Sequence, residues 1–184
     1  MRNRLRIFAL VLAFAVLASP AVARMGDPPD LVQAGKNGDM VLARDAFLRN
    51  DDPDQPDDDG YTPLYYAIKN NHLEMVRALL DHHAAPSRVG PDGKFPLFWA
   101  SELGNTEAID ALVKAGAKID QSAKGGMTSL MAAAAGGRDD AVMALLAAGA
   151  KPDLLDYTGR DALGWAQDAH SPRVVQLLRA ALKR

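Results

Sequence analysis

Few side chains in this 184-residue chain could carry chemistry. Four histidines, His72, His82, His83 and His170, are its candidate imidazole ligands and bases, and cysteine is absent. Without thiols there is no disulfide, no thiolate metal site and no cysteine nucleophile. His82 and His83 are adjacent, and successive residues do not share a helix face, so they are poorly placed to hold one ion together. Ligand number and spacing predict no transition-metal site. No His-Glu-x-x-His, Gly-x-Ser-x-Gly or P-loop sequence occurs. With no nucleophile set beside a base, the chain reads as non-catalytic and as needing no cofactor.

The densest charge is the run Asp51-Asp52-Pro53-Asp54-Gln55-Pro56-Asp57-Asp58-Asp59. Calcium seeks several carboxylates, so the run is tested against an EF-hand loop. With Gly60 as the turn glycine, Gln55, Asp57 and Asp59 take the first three ligand positions, and the closing bidentate position falls on Tyr66. That register fails, and the run is read as a solvated acidic connector. Tyr65, Tyr66, Phe98, Trp99 and Trp165 could suggest a cofactor pocket, but aromatic packing between helices accounts for them. With 21 basic against 23 acidic residues, the net charge of −2 predicts no nucleic-acid binding.

The segment ahead of these residues is an address. Arg2, Arg4 and Arg6 precede an unbroken apolar run from Ile7 to Leu17, and Ala21-Val22-Ala23 supplies small residues before Arg24. This is the layout of a cleavable secretory signal peptide over residues 1–23, followed by a short linker at 24–28. The apolar run falls short of the roughly 20 residues a membrane helix needs, and no later segment reaches that length. The arginines are not paired as a twin-arginine signal requires, which favours general secretion. The mature chain is expected to be exported, periplasmic or extracellular, without a membrane span and stabilised by packing alone.

A period of 33 residues organises the rest. Gly60, Gly93, Gly126 and Gly159 keep it, as do Leu64, Leu97, Leu130 and Leu163, and Ala67, Ala100, Ala133 and Ala166. Val76, Ile109, Val142 and Val175 form a fourth column, and Leu79, Leu112, Leu145 and Leu178 a fifth. One step back, Leu31, Ala34 and Gly38 begin a degenerate first unit. The reading is five units over 29–182: 29–56 as an N-terminal cap, then 57–89, 90–122, 123–155 and 156–184 as the C-terminal cap. Within a unit, Gly60 suits a turn, Thr62 is a helix N-cap and Pro63 the first helical residue. Leu64, Ala67 and Ile68 share one face of a short helix. Leu73, Val76, Leu79 and Leu80 stripe a second, antiparallel helix. Gly116 and Gly149 end the second helices of their units.

The run Asp57-Asp58-Asp59-Gly60-Tyr61-Thr62-Pro63-Leu64-Tyr65-Tyr66-Ala67 resembles the ankyrin repeat. So does Gly126-Met127-Thr128-Ser129-Leu130, continuing to Leu145-Leu146-Ala147-Ala148-Gly149-Ala150. The resemblance implies an all-α solenoid of stacked helix pairs with β-turn fingers, each pair burying its apolar face against its neighbours. It also implies that His72, in the repeat's Gly-His slot, packs and caps. Some positions depart from the pattern. Phe95 stands where Thr62 and Thr128 are caps and Asp161 is another capping type, so Phe95→Thr is expected to stabilise the third unit. Arg179 replaces the apolar residue of Leu80, Val113 and Leu146, as suits a terminal unit. Tyr65, Phe98, Met131 and Gly164 stand where the family usually has His, so its Thr–His ladder is missing.

The resemblance places variable contacts at the finger tips and at the solvent end of the first helices. By column these are Tyr61, Lys94, Met127 and Arg160 in the fingers, with Lys69-Asn70 and Glu102-Leu103 on the helices. Tyr61, Leu103 and Met127 are expected to form an apolar centre, rimmed by Lys69, Asn70, Lys94, Glu102 and Arg160, as protein interfaces are built. The expected function is a monomeric, non-catalytic periplasmic module that protects or assists another exported protein held on its concave face. The alternatives are an immunity protein against a periplasm-delivered toxin and a secreted effector acting on host proteins.

Overall fold

A computed structural model describes residues 28–183. The predicted signal peptide and most of the linker lie outside the described residues. Among those described there are ten α-helices and no β-strand. They form five pairs: α1 (Asp30–Asn37) with α2 (Met40–Leu48), α3 (Pro63–Lys69) with α4 (Leu73–Asp81), and α5 (Pro96–Leu103) with α6 (Thr106–Lys114). The last two are α7 (Ser129–Ala135) with α8 (Asp139–Ala147), and α9 (Ala162–Asp168) with α10 (Pro172–Ala181). The inner helices α1, α3, α5, α7 and α9 each pack on the next, and so do the outer helices α4, α6, α8 and α10. This is the all-α solenoid that the resemblance implies.

The columns are the stacking surfaces. Leu64, Leu97 and Leu130 are buried, and the four column alanines are wholly so, which lets the inner helices approach closely. Val76, Ile109, Val142 and all four column leucines of the outer helices are buried too. Leu163 and Val175 are only half-buried, because no further pair among the described residues covers them. Thr62 and Thr128 cap their helices by accepting the N–H of Tyr65 and of Met131, each at 3.3 Å, and Asp161 accepts that of Gly164 at 2.7 Å. The finger glycines Gly60, Gly93, Gly126 and Gly159 have φ of 86°, 78°, 83° and 78°, which side-chain-bearing residues rarely adopt.

Two expectations are corrected. Phe95 makes no side-chain cap, as its type requires, but its ring is 1% exposed and meets Phe98 edge-on at 5.9 Å. Threonine there would exchange a core aromatic for one hydrogen bond, so the expected stabilisation by Phe95→Thr is overturned. His72 packs without capping. Its ring lies against Gly38, and Nε2 sits 3.3 Å from the Lys36 carbonyl, so the proton belongs on Nε2. His170, by contrast, occupies the Gly104–Gly137 column, and it takes the same left-handed conformation, with φ of 53°.

Other ties link the pairs where the Thr–His ladder is missing. Asp54 accepts the N–H of Ala85, Ser87 that of Lys118, and Asp120 that of Lys151, at 2.9, 2.9 and 3.0 Å. These three acceptors are 33 residues apart, so this is a second ladder, running along the loops. Fingers also bond directly: Lys124 N–H donates to the Gly93 carbonyl and Tyr157 N–H to that of Gly125.

Candidate functional site

The fingers and inner helices carry the residues expected to bind a partner. In the second pair, Tyr61 stacks on Tyr65 with ring centroids 4.1 Å apart, and Tyr65 meets Trp99 of the third pair edge-on at 5.6 Å. Lys94 holds its ammonium 4.0 Å from the Trp99 centroid, and Lys69 holds its own at 4.5 Å. Lys94 also bonds both carboxylate oxygens of Glu102 at 3.2 Å. Tyr61, Lys69, Lys94 and Glu102 are thus gathered around one indole. The cations are attracted to the electron-rich ring face.

The other predicted positions lie apart from that indole. Arg160, in the fifth pair, stacks its guanidinium 3.7 Å over Trp165 and pairs with Asp168 at 2.8 Å. Leu103 is 41% exposed at the far end of α5, where it shares a shallow hollow of about 370 Å³ with Lys69 and Asn105. Met127 is half-buried against the core. Asn70 donates to the Lys36 carbonyl at 2.8 Å, a tie between the first two pairs. Tyr61, Leu103 and Met127 therefore do not line one common cleft. Instead, Tyr61 lines a narrow cleft with Tyr65, Val89, Lys94 and Trp99.

Tyr65 and Trp99, assigned from sequence to helix packing, are half-buried and build that cleft. Val89, which lines that cleft and was not singled out from the sequence, is 53% exposed, and Tyr157, in the finger-tip columns that the resemblance marks as variable, is 84% exposed. A signal for the aromatic face was present: the column of Tyr66, Trp99 and Trp165 stays bulky except at Ala132.

Two buried carboxylates shape the fingers. Asp57 accepts from the Tyr66 hydroxyl at 2.7 Å, the Tyr61 N–H at 3.0 Å and the Lys36 ammonium at 3.2 Å. Burial works to raise its carboxyl, but these donors outweigh it and hold the group below the usual carboxylate range. Burial and the bond to Asp57 push the Tyr66 phenol well above its ordinary value. Asp156, in the same column, accepts from Thr158 through both N–H and hydroxyl, at 2.8 and 2.6 Å. It also takes the Arg160 N–H and the Trp165 indole N–H, both at 3.0 Å. The Thr158 hydroxyl first, then the backbone and indole donors, bring the Asp156 carboxyl down to about 2 against the opposing effect of burial.

The acidic connector is wired into the fold. Asp51 pairs with Arg49 at 2.7 Å, Asp52 accepts the Asp54 N–H at 2.9 Å, and Asp54 bonds the next loop. Among the described residues, no three His, Asp or Glu side chains are grouped to hold a metal.

A family model for three copies of the ankyrin repeat matches residues 31–123, and one for a single ankyrin repeat matches 125–157. The chain belongs to the ankyrin-repeat family. It is similar to Ankyrin repeat domain-containing protein 39 of Homo sapiens, with 40% identity over 47 residues. That stretch is 26% of this chain and 26% of the human protein, so the chain spans about a quarter of that relative's length. Ankyrin repeats are protein–protein interaction modules, typically without catalytic activity. No helix among the described residues is long and apolar enough to cross a membrane.

Proposed function

We propose that this ankyrin-repeat protein is an exported, non-catalytic module that holds another envelope protein against its finger and inner-helix face. The carrying observation is the cluster of Tyr61, Tyr65 and Trp99 with Lys69 and Lys94 around it. Aromatic side chains that stay half-exposed on a rigid scaffold are what interface centres are made of. The solenoid presents them without ordering cost, so partner binding loses little entropy. The basic, apolar and small-residue layout of residues 1–23 supports export to the periplasm, and the ladder and buried columns support a fold that needs no disulfide.

Affinity capture from a periplasmic extract with the protein as bait tests the first part. Capture of a defined envelope protein, lost in a Tyr61→Ala, Leu103→Ala, Met127→Ala triple variant and in Trp99→Ala while helical circular dichroism is kept, is the expected result. Undiminished capture by both variants would remove this face from consideration. Fractionation followed by N-terminal sequencing tests the second part. A mature chain beginning at Arg24 in the periplasmic fraction is expected, and an uncleaved cytosolic chain would refute export.

A further inference from the structure

Among the described residues, two columns of the concave face carry a charge pattern with one unmatched cation. Each unit contributes one finger residue and, eight positions later, one residue at the end of its inner helix. In the third and fifth pairs these two residues form an ion pair, Lys94 with Glu102 and Arg160 with Asp168. The eight-residue offset is the same in both, so the finger of each pair is tied to its own helix. In the second pair the same two positions hold Tyr61 and Lys69, and in the fourth they hold Met127 and Ala135. No carboxylate among the described residues lies within ion-pair distance of the Lys69 ammonium, which rests on Trp99. Lys36, on the first pair in the column of Lys69, is matched by Asp57 at 3.2 Å.

The face therefore alternates along the stack. An unmatched cation beside an aromatic pair is followed by a closed ion pair, then an uncharged apolar step, then another closed ion pair. A closed ion pair offers a ligand little, because its charges already satisfy each other and breaking them costs desolvation. The steps left open are the second, which lacks an anion, and the fourth, whose two column positions are both apolar.

We propose that the bound partner presents an extended protein segment with a carboxylate at Lys69 and an apolar side chain at Met127 and Ala135. This rests on the proposed binding face and adds the chemistry of what sits on it. The two open steps are two pairs apart, about 16–20 Å at an interhelical spacing of about 8–10 Å. An extended chain rising about 3.3 Å per residue covers that in about five or six residues. The carboxylate supplies Lys69 with the counter-charge that its neighbours find within the chain. The apolar side chain meets the one step whose two column positions are both apolar.

The test is selection of a random 12-residue phage-displayed peptide library on the purified protein. The expected consensus has Asp or Glu at one position and an apolar residue about five or six positions away. Synthetic consensus peptide, labelled and followed by fluorescence anisotropy, should bind about tenfold more weakly to Lys69→Glu at low salt, with the loss shrinking as salt rises. Selection on Lys69→Glu should exchange the acidic position for Lys or Arg. Enriched peptides without an acidic position, or binding unmoved by Lys69→Glu, would overturn the inference while leaving a protein-binding face in place. Enriched peptides that bind the Tyr61, Leu103, Met127 triple alanine variant and Trp99→Ala at full strength would overturn the face itself. A library yielding no enriched sequence would also overturn the inference, since an extended segment is what it specifies.

Discussion

Side chains of one column can do opposite jobs, and Phe95 shows how. Its column holds the capping Thr62, Thr128 and Asp161, yet its own ring is turned into the core against Phe98. Removing a buried phenylalanine costs about 3–5 kcal/mol, and a new cap returns about 1, so Phe95→Thr should destabilise by about 2–4 kcal/mol. A urea midpoint that rises instead would show the ring to be poorly packed. Asp156 gives a second test through pH. Its folded-state carboxyl titrates near 2, below the ordinary carboxylate value, so its stabilisation is present above about pH 4 and is lost as pH falls toward 2. Asp156→Asn also turns an amide N–H toward the Trp165 donor. The variant should be less stable than the parent at pH 7, and the gap should narrow steadily between pH 4 and 2. A gap that stays constant over that range would mean the charge contributes nothing. The sequence held part of this: an acid at the column of Asp57 and Asp156 recurs with a donor-bearing aromatic nine residues on, Tyr66 and Trp165, and only in those two units. The turned ring of Phe95 was not legible, because residue type alone does not say which way an N-cap side chain points.

Between elements, the legible part is the part that repeats. Stacking columns and finger glycines recur every 33 residues because each unit solves the same packing problem, and they stand where the period puts them, while the capping column is broken at Phe95. Contacts that cross from one unit to the next in single copies do not recur, such as Phe47 stacked on His82 at 3.8 Å, whereas Lys69 on Trp99 repeats Lys36 over Tyr66 at 4.3 Å one unit back. The loop ladder lies between the two cases. Asp54, Ser87 and Asp120 share a column, but the acidic run around Asp54 draws the eye toward cation chemistry rather than toward the backbone N–H of Ala85. Asp120 is a suitable member to test, since its carboxylate takes the Lys151 N–H through one oxygen, where Asp54 takes that of Ala85 through both. Asp120→Ala should cost about 0.5–1.5 kcal/mol, the usual net value of one hydrogen bond. The Lys151 amide should exchange with solvent faster while those of α5 and α6 keep their protection. Unchanged exchange at Lys151 would show that the ladder is ornamental.

At the scale of the whole molecule, stability is close to a sum of pairs and of interfaces between neighbours, so the two ends are the weak places. They are weak to different degrees. The C-terminal end is polar where the stack stops: Arg179 is exposed in place of an apolar residue, and Arg173 ties α10 back to α8 through Asp139 at 2.9 Å. At the N-terminal end of the described residues the finish is mixed, with Arg49 paired to Asp30 of α1 but apolar side chains left exposed on α2. Val41 and Leu48 of α2 are 73% and 77% exposed, in the columns by which Glu74 and Asp81 of α4 face the pair before them. Apolar area left in water contributes nothing to holding the helix down, and among the described residues α2 has a neighbouring pair on one side only. Hydrogen exchange followed by mass spectrometry should therefore show α2 opening first, α10 next and the helices α5 to α8 last. The order follows from interface count and from how each end is finished, not from helix length, since α2, α4, α6 and α8 are all nine residues long. Protection of α2 equal to that of α6 would require its apolar side to be covered in solution, and the additive picture of the stack would then have to gain another interface at that end.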